Sequence, residues 1–294
     1  MSGIRRRMRA RHLLPLLILA ATVVPSAWAR QELVVTYLDC GQGDSILLQT
    51  PDNKSILIDA GPLEASEGLD AGRDAIAPYL REQGIRRLDV VVFSHPHMDH
   101  IGGFKYILKN FSVGYVYDVG YSYPSPDYKD VLSLIQKKNI KYSVARSGDT
   151  LDWGPSLKVR VLGPPRELPW DNPNDNSMLI QVQHGKVKFL FTGDIEKEAE
   201  FEAVIRHGPT LESQIFKAPH HAANTSSTKE FLDHVRPETV VVSCGRRNRF
   251  GHPNKKIIGR YEDYGLRVYR TDLQGHIRVI SDGKKYRVEA KALP

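Results

Sequence analysis

The sequence has little cysteine: Cys40 and Cys244 are the only two among 294 residues. Two cysteines so far apart exclude a disulfide-stapled scaffold, and they lack the short spacing of a thiolate zinc site. We expect both thiols to be small buried side chains. Beyond the first 30 residues there is also no long apolar run, which excludes a polytopic membrane protein.

Acidic residues are absent from residues 1–29, which contain five arginines. The formal charge of the whole chain is +7, but without that stretch 36 basic residues face 34 acidic ones. The remaining chain is therefore nearly neutral, and its overall charge is weak support for a nucleic-acid partner.

Residues 1–29 have the pattern of a secretory signal peptide. A cationic start is followed by the apolar run 13–24 and by Ala27-Trp28-Ala29, a small-residue cleavage pattern. The apolar run is shorter than the roughly 20 residues of a spanning helix. We expect cleavage after Ala29, export to the periplasm or the medium, and no stable membrane insertion afterwards; the alternative is an uncleaved anchor.

Short β-prone runs outnumber helical segments in residues 30–294, and no linker divides them. Residues 89–93 and 187–191 are the most apolar runs and predict buried central strands. Helical segments such as 74–83 and 196–206 separate strand hairpins instead of alternating with single strands. This pattern predicts one domain, built from two mixed sheets packed face to face with helices outside.

The strongest chemical signal directly follows the first of these apolar runs. His95, His97, Asp99 and His100 lie within six positions. The i, i+2 spacing lets His95 and His97 point the same way from an extended segment. Imidazole and carboxylate ligands suit zinc, manganese or iron, so this segment predicts a metal site.

Further polar residues follow other apolar runs. Asp59 directly follows the run 55–58, and Asp194 follows 187–191. His220 and His221 follow 214–217, and His252 lies in a later loop. Each alone is weak, because an acid after a strand is commonly a turn residue. Their shared position after strands suggests that they converge on one cleft.

These motifs resemble the metallo-β-lactamase superfamily signature. His95-x-His97-x-Asp99-His100 is preceded by Asp59 and followed by Asp194 and His220. More narrowly, the chain resembles the hydrolase domain of the ComEC competence-protein family. That similarity runs from about residue 33 to near the C-terminus, and its further motifs are LDCGQGDS (38–45), NDNS (174–177), KAPHH (217–221) and NRFGHP (248–253).

The resemblance implies a four-layer αββα sandwich with a cleft that holds two divalent ions, Zn²⁺ or Mn²⁺. It also implies a role for each matching residue: His95 and His97 on a first ion, Asp99, His100 and His220 on a second, Asp194 bridging both, Asp59 orienting the ligand histidines, and His252 donating to substrate. His221 adjoins His220, and the sequence does not decide which of the two binds the ion.

One departure from the wider superfamily concerns the segment between the His95 motif and Asp194. Many members have another histidine ligand there, whereas this chain has Asn174-Asp175-Asn176-Ser177. Asp175 is either an oxygen ligand or a turn residue, and an oxygen ligand would favour manganese. Asn176 and Ser177 are candidate substrate contacts.

The resemblance implies a phosphodiesterase or nuclease that uses a metal-bound hydroxide, with Asp99 or Asp194 holding the water. Arg246 and Arg249, just before His252, are candidate phosphate contacts; the alternative is a solvated basic loop. Nucleic acid or a small phosphodiester is the expected substrate, and the sequence leaves protein partners unknown. Two alternatives remain: hydrolysis of a lactone, lactam or other carbonyl substrate, and a metal-binding envelope module without turnover.

Overall fold

The computed structural model describes residues 32–291, so the predicted signal peptide lies outside the described residues. Sixteen strands are formed in this part of the chain: β1 Leu33–Tyr37, β2 Ile46–Gln49, β3 Ser55–Ile58, β4 Leu63–Glu64, β5 Leu69–Asp70, β6 Arg87–Val92, β7 Ser112–Asp118, β8 Lys141–Val144, β9 Leu157–Gly163, β10 Leu179–His184, β11 Val187–Phe191, β12 Ile215–Lys217, β13 Thr239–Val242, β14 Arg267–Arg270, β15 Ile277–Ser281 and β16 Tyr286–Glu289.

Eight α-helices connect these strands: α1 Ala77–Glu82, α2 Met98–Ile101, α3 Phe104–Asn110, α4 Pro126–Lys137, α5 Lys197–His207, α6 Lys229–Val235, α7 Lys255–Asp263 and α8 Thr271–Gln274. The helix predicted over 74–83 is divided, because a π-helical turn over Gly72–Ile76 precedes α1. None of the helices within 32–291 is long and apolar enough to cross a membrane.

Two sheets form the centre of the molecule. One has eight strands in the order β16-β15-β1-β2-β3-β6-β7-β8, and the other has six in the order β14-β13-β12-β11-β10-β9. Both contain parallel and antiparallel pairs. The apolar run 187–191 forms β11, and the run 89–93 forms β6 except for its last residue; both strands lie inside their sheets, as predicted.

Three apolar layers hold the sheets and helices together. Val35, Ile56 and Val92 of the larger sheet pack with residues such as Phe189 and Val241 of the smaller one. Outside the larger sheet lie apolar residues of α1, α3 and α4, and outside the smaller sheet those of α5, α6 and α7. The predicted αββα sandwich is confirmed. Cys40 and Cys244 are free and buried, as expected.

Parallel pairing determines where the functional loops lie. β3 runs parallel to β6, and β11 runs parallel to β12, which is parallel to β13. The carboxyl ends of parallel strands meet at one edge of a sheet. The segments that carry Asp59, His95–His100, Asp194 and His220–His221 all leave such ends, so they meet along one edge of the sandwich.

Candidate metal centre

The segment after β6 supplies two of the predicted histidine ligands in an extended conformation. His97 has φ −72° and ψ 151° and directly precedes α2. The Nε2 atom of His95 and the Nδ1 atom of His97 lie 3.0 Å apart. Because both nitrogens can present lone pairs to the same point, this pair can hold one ion from two sides.

A second group of potential ligands lies beside this pair. Asp99, His100, Asp194 and His221 each offer one ligand atom, and these four atoms lie within 4.8 Å of one another. The Asp194 Oδ2 atom lies 3.2 Å from His100 Nε2 and 3.4 Å from His221 Nε2. Two carboxylates and two imidazoles form a donor set that suits Zn²⁺ or Mn²⁺.

Hydrogen bonds on the far side of each ring fix which nitrogen faces this group. His100 Nδ1 lies 2.8 Å from Asp59 Oδ2, and His221 Nδ1 lies 2.9 Å from the Ser243 carbonyl oxygen. Carboxylate and carbonyl oxygens only accept, so Nδ1 of both rings carries the proton. The Nε2 lone pairs are then free for a metal once each ring is neutral.

Three buried atoms of the group lack a hydrogen-bond partner among residues 32–291: His100 Nε2, His221 Nε2 and Asp194 Oδ1. Burial would lower the pKa of His100, but the carboxylates of Asp194, Asp59 and Asp99 raise it well above its usual value. Several carboxylates thus surround buried nitrogen and oxygen atoms that have no hydrogen-bond partner and could bind a metal. These residues fit a bound cation.

Asp59 is the centre of a buried hydrogen-bond network behind the ligands. Its Oδ1 accepts from the Ser94 backbone N–H at 2.8 Å, and its Oδ2 accepts from the Ser94 hydroxyl at 2.6 Å and from His100. Its φ of 58° is in the left-handed region, which is strained for a residue other than glycine. Through its hydrogen bond with His100, Asp59 orients the imidazole ring of that candidate ligand.

Asp44 and Lys217 form a buried ion pair beside the group, and we did not single them out from the sequence. Lys217 Nζ also donates to the Gly193 carbonyl at 2.9 Å and lies 3.6 Å from Asp194 Oδ1. Two signals could have identified the pair: the aspartate in LDCGQGDS, and a lysine that ends a buried apolar strand. Gly43 allows this loop to lie against the Asp99 backbone, because a Cβ there would lie 2.1 Å from the Asp99 carbonyl oxygen.

The structure distinguishes His220 from His221. Both lie in a strained turn, with φ values of 48° and 53°. His221 is buried in the ligand group, whereas His220 Nε2 lies 3.9 Å from Asp194 Oδ2 and its Nδ1 lies 2.8 Å from Glu196 Oε1. The geometry therefore favours His221 for the position that the resemblance implied for His220.

The segment 174–177 lies next to the ligand group, and its one carboxylate, that of Asp175, is not part of that group. Asp175 Oδ1 accepts from the backbone N–H groups of Glu196 and Ala199, at the start of α5. These contacts are those of a turn residue, the second alternative for Asp175. No oxygen of Asp175 belongs to the group described above.

Asn176 and Ser177 are buried, and Asn176 Oδ1 has no hydrogen-bond partner among residues 32–291. The Asn176 amide donates to the carbonyls of Trp170 and Asn172. The Ser177 hydroxyl accepts from the backbone N–H of Asp194 at 3.1 Å. The hydrogen bonds of both side chains hold the loops around the site, and contact with substrate stays a prediction for both residues.

His252 and the arginines lie at the entrance to the group. The His252 ring is 6.0 Å from that of His221, and burial together with the neighbouring histidines lowers its pKa to about 4. Arg246 and Arg249 are exposed beside a cleft of about 480 Å³. Arg246 Nε donates to the Asp272 carbonyl, and the Arg249 guanidinium lies 5.1 Å from the centre of the Phe250 ring.

The model of the metallo-beta-lactamase superfamily matches residues 38–246, which contain both ligand groups. The chain belongs to this superfamily. The match and the buried donor set together describe a protein with the fold of metallo-hydrolases and a candidate divalent-metal site.

The chain is also similar to parts of longer curated proteins, one of which is named a competence protein. The chain is 29% identical over 254 residues to ComE operon protein 3 of Bacillus subtilis, covering 83% of this chain and 32% of that protein. It is 32% identical over 255 residues to competence protein ComA of Neisseria gonorrhoeae, covering 86% of this chain and 33% of that one. The chain thus spans about a third of these relatives.

A solved structure shows the same fold. The metallo-beta-lactamase fold protein YhfI of Bacillus subtilis superposes with a TM-score of 0.52 at 13% identity, over 81% of this chain and 96% of that one. At this identity, the likeness concerns the fold alone.

Proposed function

We propose that the chain is a metal-dependent phosphodiesterase whose substrate is nucleic acid. The observation that carries the proposal is the position of the buried ligand group next to an arginine-lined cleft. Neither a serine nor a cysteine nucleophile is needed, because the donor set suits a metal-assisted hydrolysis.

The residues divide naturally between two ions, Zn²⁺ or Mn²⁺. We assign His95 and His97 to one ion and Asp99, His100 and His221 to the other, with Asp194 between them. Ions bound there would supply a nucleophile at neutral pH by acidifying water and would neutralise charge that develops on phosphorus oxygens.

The chain itself prepares this site through fixed hydrogen bonds. The Ser177 hydroxyl and the Asp194 backbone N–H hold the turn that presents the Asp194 carboxylate. Asp59 holds the His100 ring through Nδ1. Because these contacts are buried, the ligand atoms are preorganised and need little movement during the reaction.

The adjoining cleft contains side chains that can bind phosphate. Its lining includes Arg246, Arg247, Arg249 and Phe250, and the acidic residues Asp39, Glu64 and Glu67. Guanidinium groups bind phosphate in a bidentate manner, and an exposed aromatic ring provides a stacking surface for an unpaired base. This combination favours a single nucleic-acid strand over a carbonyl substrate, in agreement with the resemblance to ComEC hydrolase domains.

A substrate comparison tests this proposal. Protein reconstituted with Mn²⁺ or Zn²⁺ should cleave end-labelled single-stranded DNA faster than a lactone or a β-lactam. Arg249→Gln should raise KM and reduce the salt slope of binding by about 0.7, the value for one lost phosphate contact on a single strand. Lys284→Gln, in the exposed turn between β15 and β16, is the matched control. Faster turnover of a carbonyl substrate would overturn the proposal.

We also propose that the protein is exported, on the basis of the pattern in residues 1–29. Sequencing the N-terminus of protein recovered from a cell envelope fraction tests this. A mature protein that begins at residue 30 is expected, and a cytoplasmic protein that retains Met1 would contradict export.

A further inference from the structure

Gln42 joins two loops at the mouth of the candidate metal centre. Its Oε1 accepts from the Gly245 backbone N–H at 3.1 Å, and its Nε2 lies 3.4 Å from His252 Nδ1. The first contact determines how the amide is oriented. A flipped amide would place its NH₂ group against the Gly245 N–H, so two donors would face each other.

The orientation of the Gln42 amide determines which ring nitrogen of His252 carries the proton. Since the NH₂ group of Gln42 faces Nδ1, that ring nitrogen must accept a hydrogen bond and carries no proton. A neutral imidazole with an unprotonated Nδ1 has its proton on Nε2.

The backbone of His252 is held separately, so its ring does not depend on Gln42 for its place. Asn248 Oδ1 accepts from the His252 N–H at 3.0 Å, and Asn248 Nδ2 donates to the carbonyls of His252 and Gly245. The ring also packs at 5.9 Å from Phe250 in a stacked arrangement. A change at Gln42 can therefore alter the proton on the ring while the loop is retained.

We propose that Gln42 is a positioning residue that fixes His252 as the Nε2–H tautomer, so that His252 acts toward the cleft as a hydrogen-bond donor and not as a proton acceptor. The tautomer stands on the hydrogen bonds alone, whereas donation to a substrate oxygen rests on the proposed function. As a donor, the ring would stabilise negative charge on a phosphoryl or leaving-group oxygen. The resemblance implies a donor at His252 but does not say what prepares it.

The tautomer is measured directly by long-range ¹H–¹⁵N correlation NMR on the ¹⁵N-labelled, Zn²⁺-loaded protein. The His252 signals are assigned by their loss in His252→Gln. We expect Nδ1 at the shift of an unprotonated nitrogen and Nε2 at that of a protonated one. The opposite pattern, or a charged ring at neutral pH, would overturn the proposal without reference to any activity.

Gln42→Glu tests the causal role of the amide. The glutamate keeps an acceptor for Gly245, but its second oxygen faces Nδ1 and should draw the proton there. We expect the NMR pattern to change to a protonated Nδ1, while Gln136→Glu, an exposed control on α4, leaves it unchanged. An unaltered His252 signal in folded Gln42→Glu would contradict the proposal.

Kinetics then separates positioning from a structural role. Gln42→Glu should lower kcat on the order of 100-fold, as does the loss of one preorganised donor. If Gln42 acts through His252, the same change in a His252→Ala background should have little further effect. A full additional loss there would show an independent role. If no phosphodiester is cleaved at all, the proposed function fails, while the NMR result still decides the tautomer.

Discussion

Lys217 is a fully buried cation whose charge is matched by the Asp44 carboxylate. Removing one member of a buried pair leaves an uncompensated charge, which costs about 3–5 kcal/mol. Lys217→Met should therefore lower the free energy of unfolding by about that amount. Asp44→Asn together with Lys217→Met should lose less than Lys217→Met alone. Urea denaturation of the metal-free proteins measures both, and a single variant as stable as the wild type would contradict the pairing.

Asp59 tests whether a residue outside the ligand group controls metal binding. In Asp59→Asn the amide can turn its NH₂ group toward His100 Nδ1, which would move the proton to the nitrogen that faces the ligands. Loss of such a supporting carboxylate typically costs about 10–100-fold in metal affinity. Calorimetric titration with Zn²⁺ should show this loss, whereas Asp263→Asn, an exposed control at the end of α7, should bind as the wild type does. Equal affinities would disprove the role.

At the scale of elements, the Asp175 side chain caps the start of α5. Its carboxylate accepts two backbone N–H groups there and adds negative charge at the positive end of the helix dipole. Asp175→Ala should reduce the free energy of unfolding by about 1 kcal/mol, as the loss of a helix cap does. Asp175→Asn keeps an oxygen and should lose less. Metal content by mass spectrometry should stay unchanged in both variants, and a lost ion would instead make Asp175 a ligand.

The contact between α5 and α6 predicts a pH-dependent stability. Glu200 on α5 is buried, and its carboxylate accepts from the backbone N–H groups of Ser227 and Thr228 before α6. Burial nevertheless raises its pKa to about 7. The folded state thus holds this proton more tightly than the unfolded state, so its contribution is present below pH 4.5 and is lost as pH rises to 7.

The size of the Glu200 pKa shift predicts that the free energy of unfolding falls by about 3 kcal/mol over this pH range. Urea denaturation from pH 4 to 8 should show stability falling over this range, with a smaller fall in Glu200→Gln. Equal slopes for both proteins would exclude Glu200 as the source.

The strand ends were predictable because apolar β-prone runs are local patterns that stop at Asp59, Ser94 and Thr192. Several contacts were not predictable, because each depends on residues that only the fold brings together. Lys217 meets Asp44 across the sandwich, and Asp175 reaches the start of α5 through a loop. His221 rather than His220 enters the group because the strained turn aims it there, and no sequence pattern reports a positive φ.

At the scale of the whole molecule, two sheets contribute separate parts of one site. The larger sheet presents Asp59 and His95–His100, and the smaller one presents Asp194 and His221. The apolar layer between the sheets therefore fixes the spacing of the ligands. This division explains why the metal centre and the fold were both expected from the same superfamily motifs.

The most direct test of the central claim is a titration of metal-depleted protein with Mn²⁺ while cleavage of an end-labelled single DNA strand is followed. The account predicts no cleavage without metal, activity that rises to saturation at two ions per chain, and no activity in Asp194→Asn at any Mn²⁺ concentration that leaves the variant folded. Cleavage that persists in the chelated protein or in Asp194→Asn would contradict it.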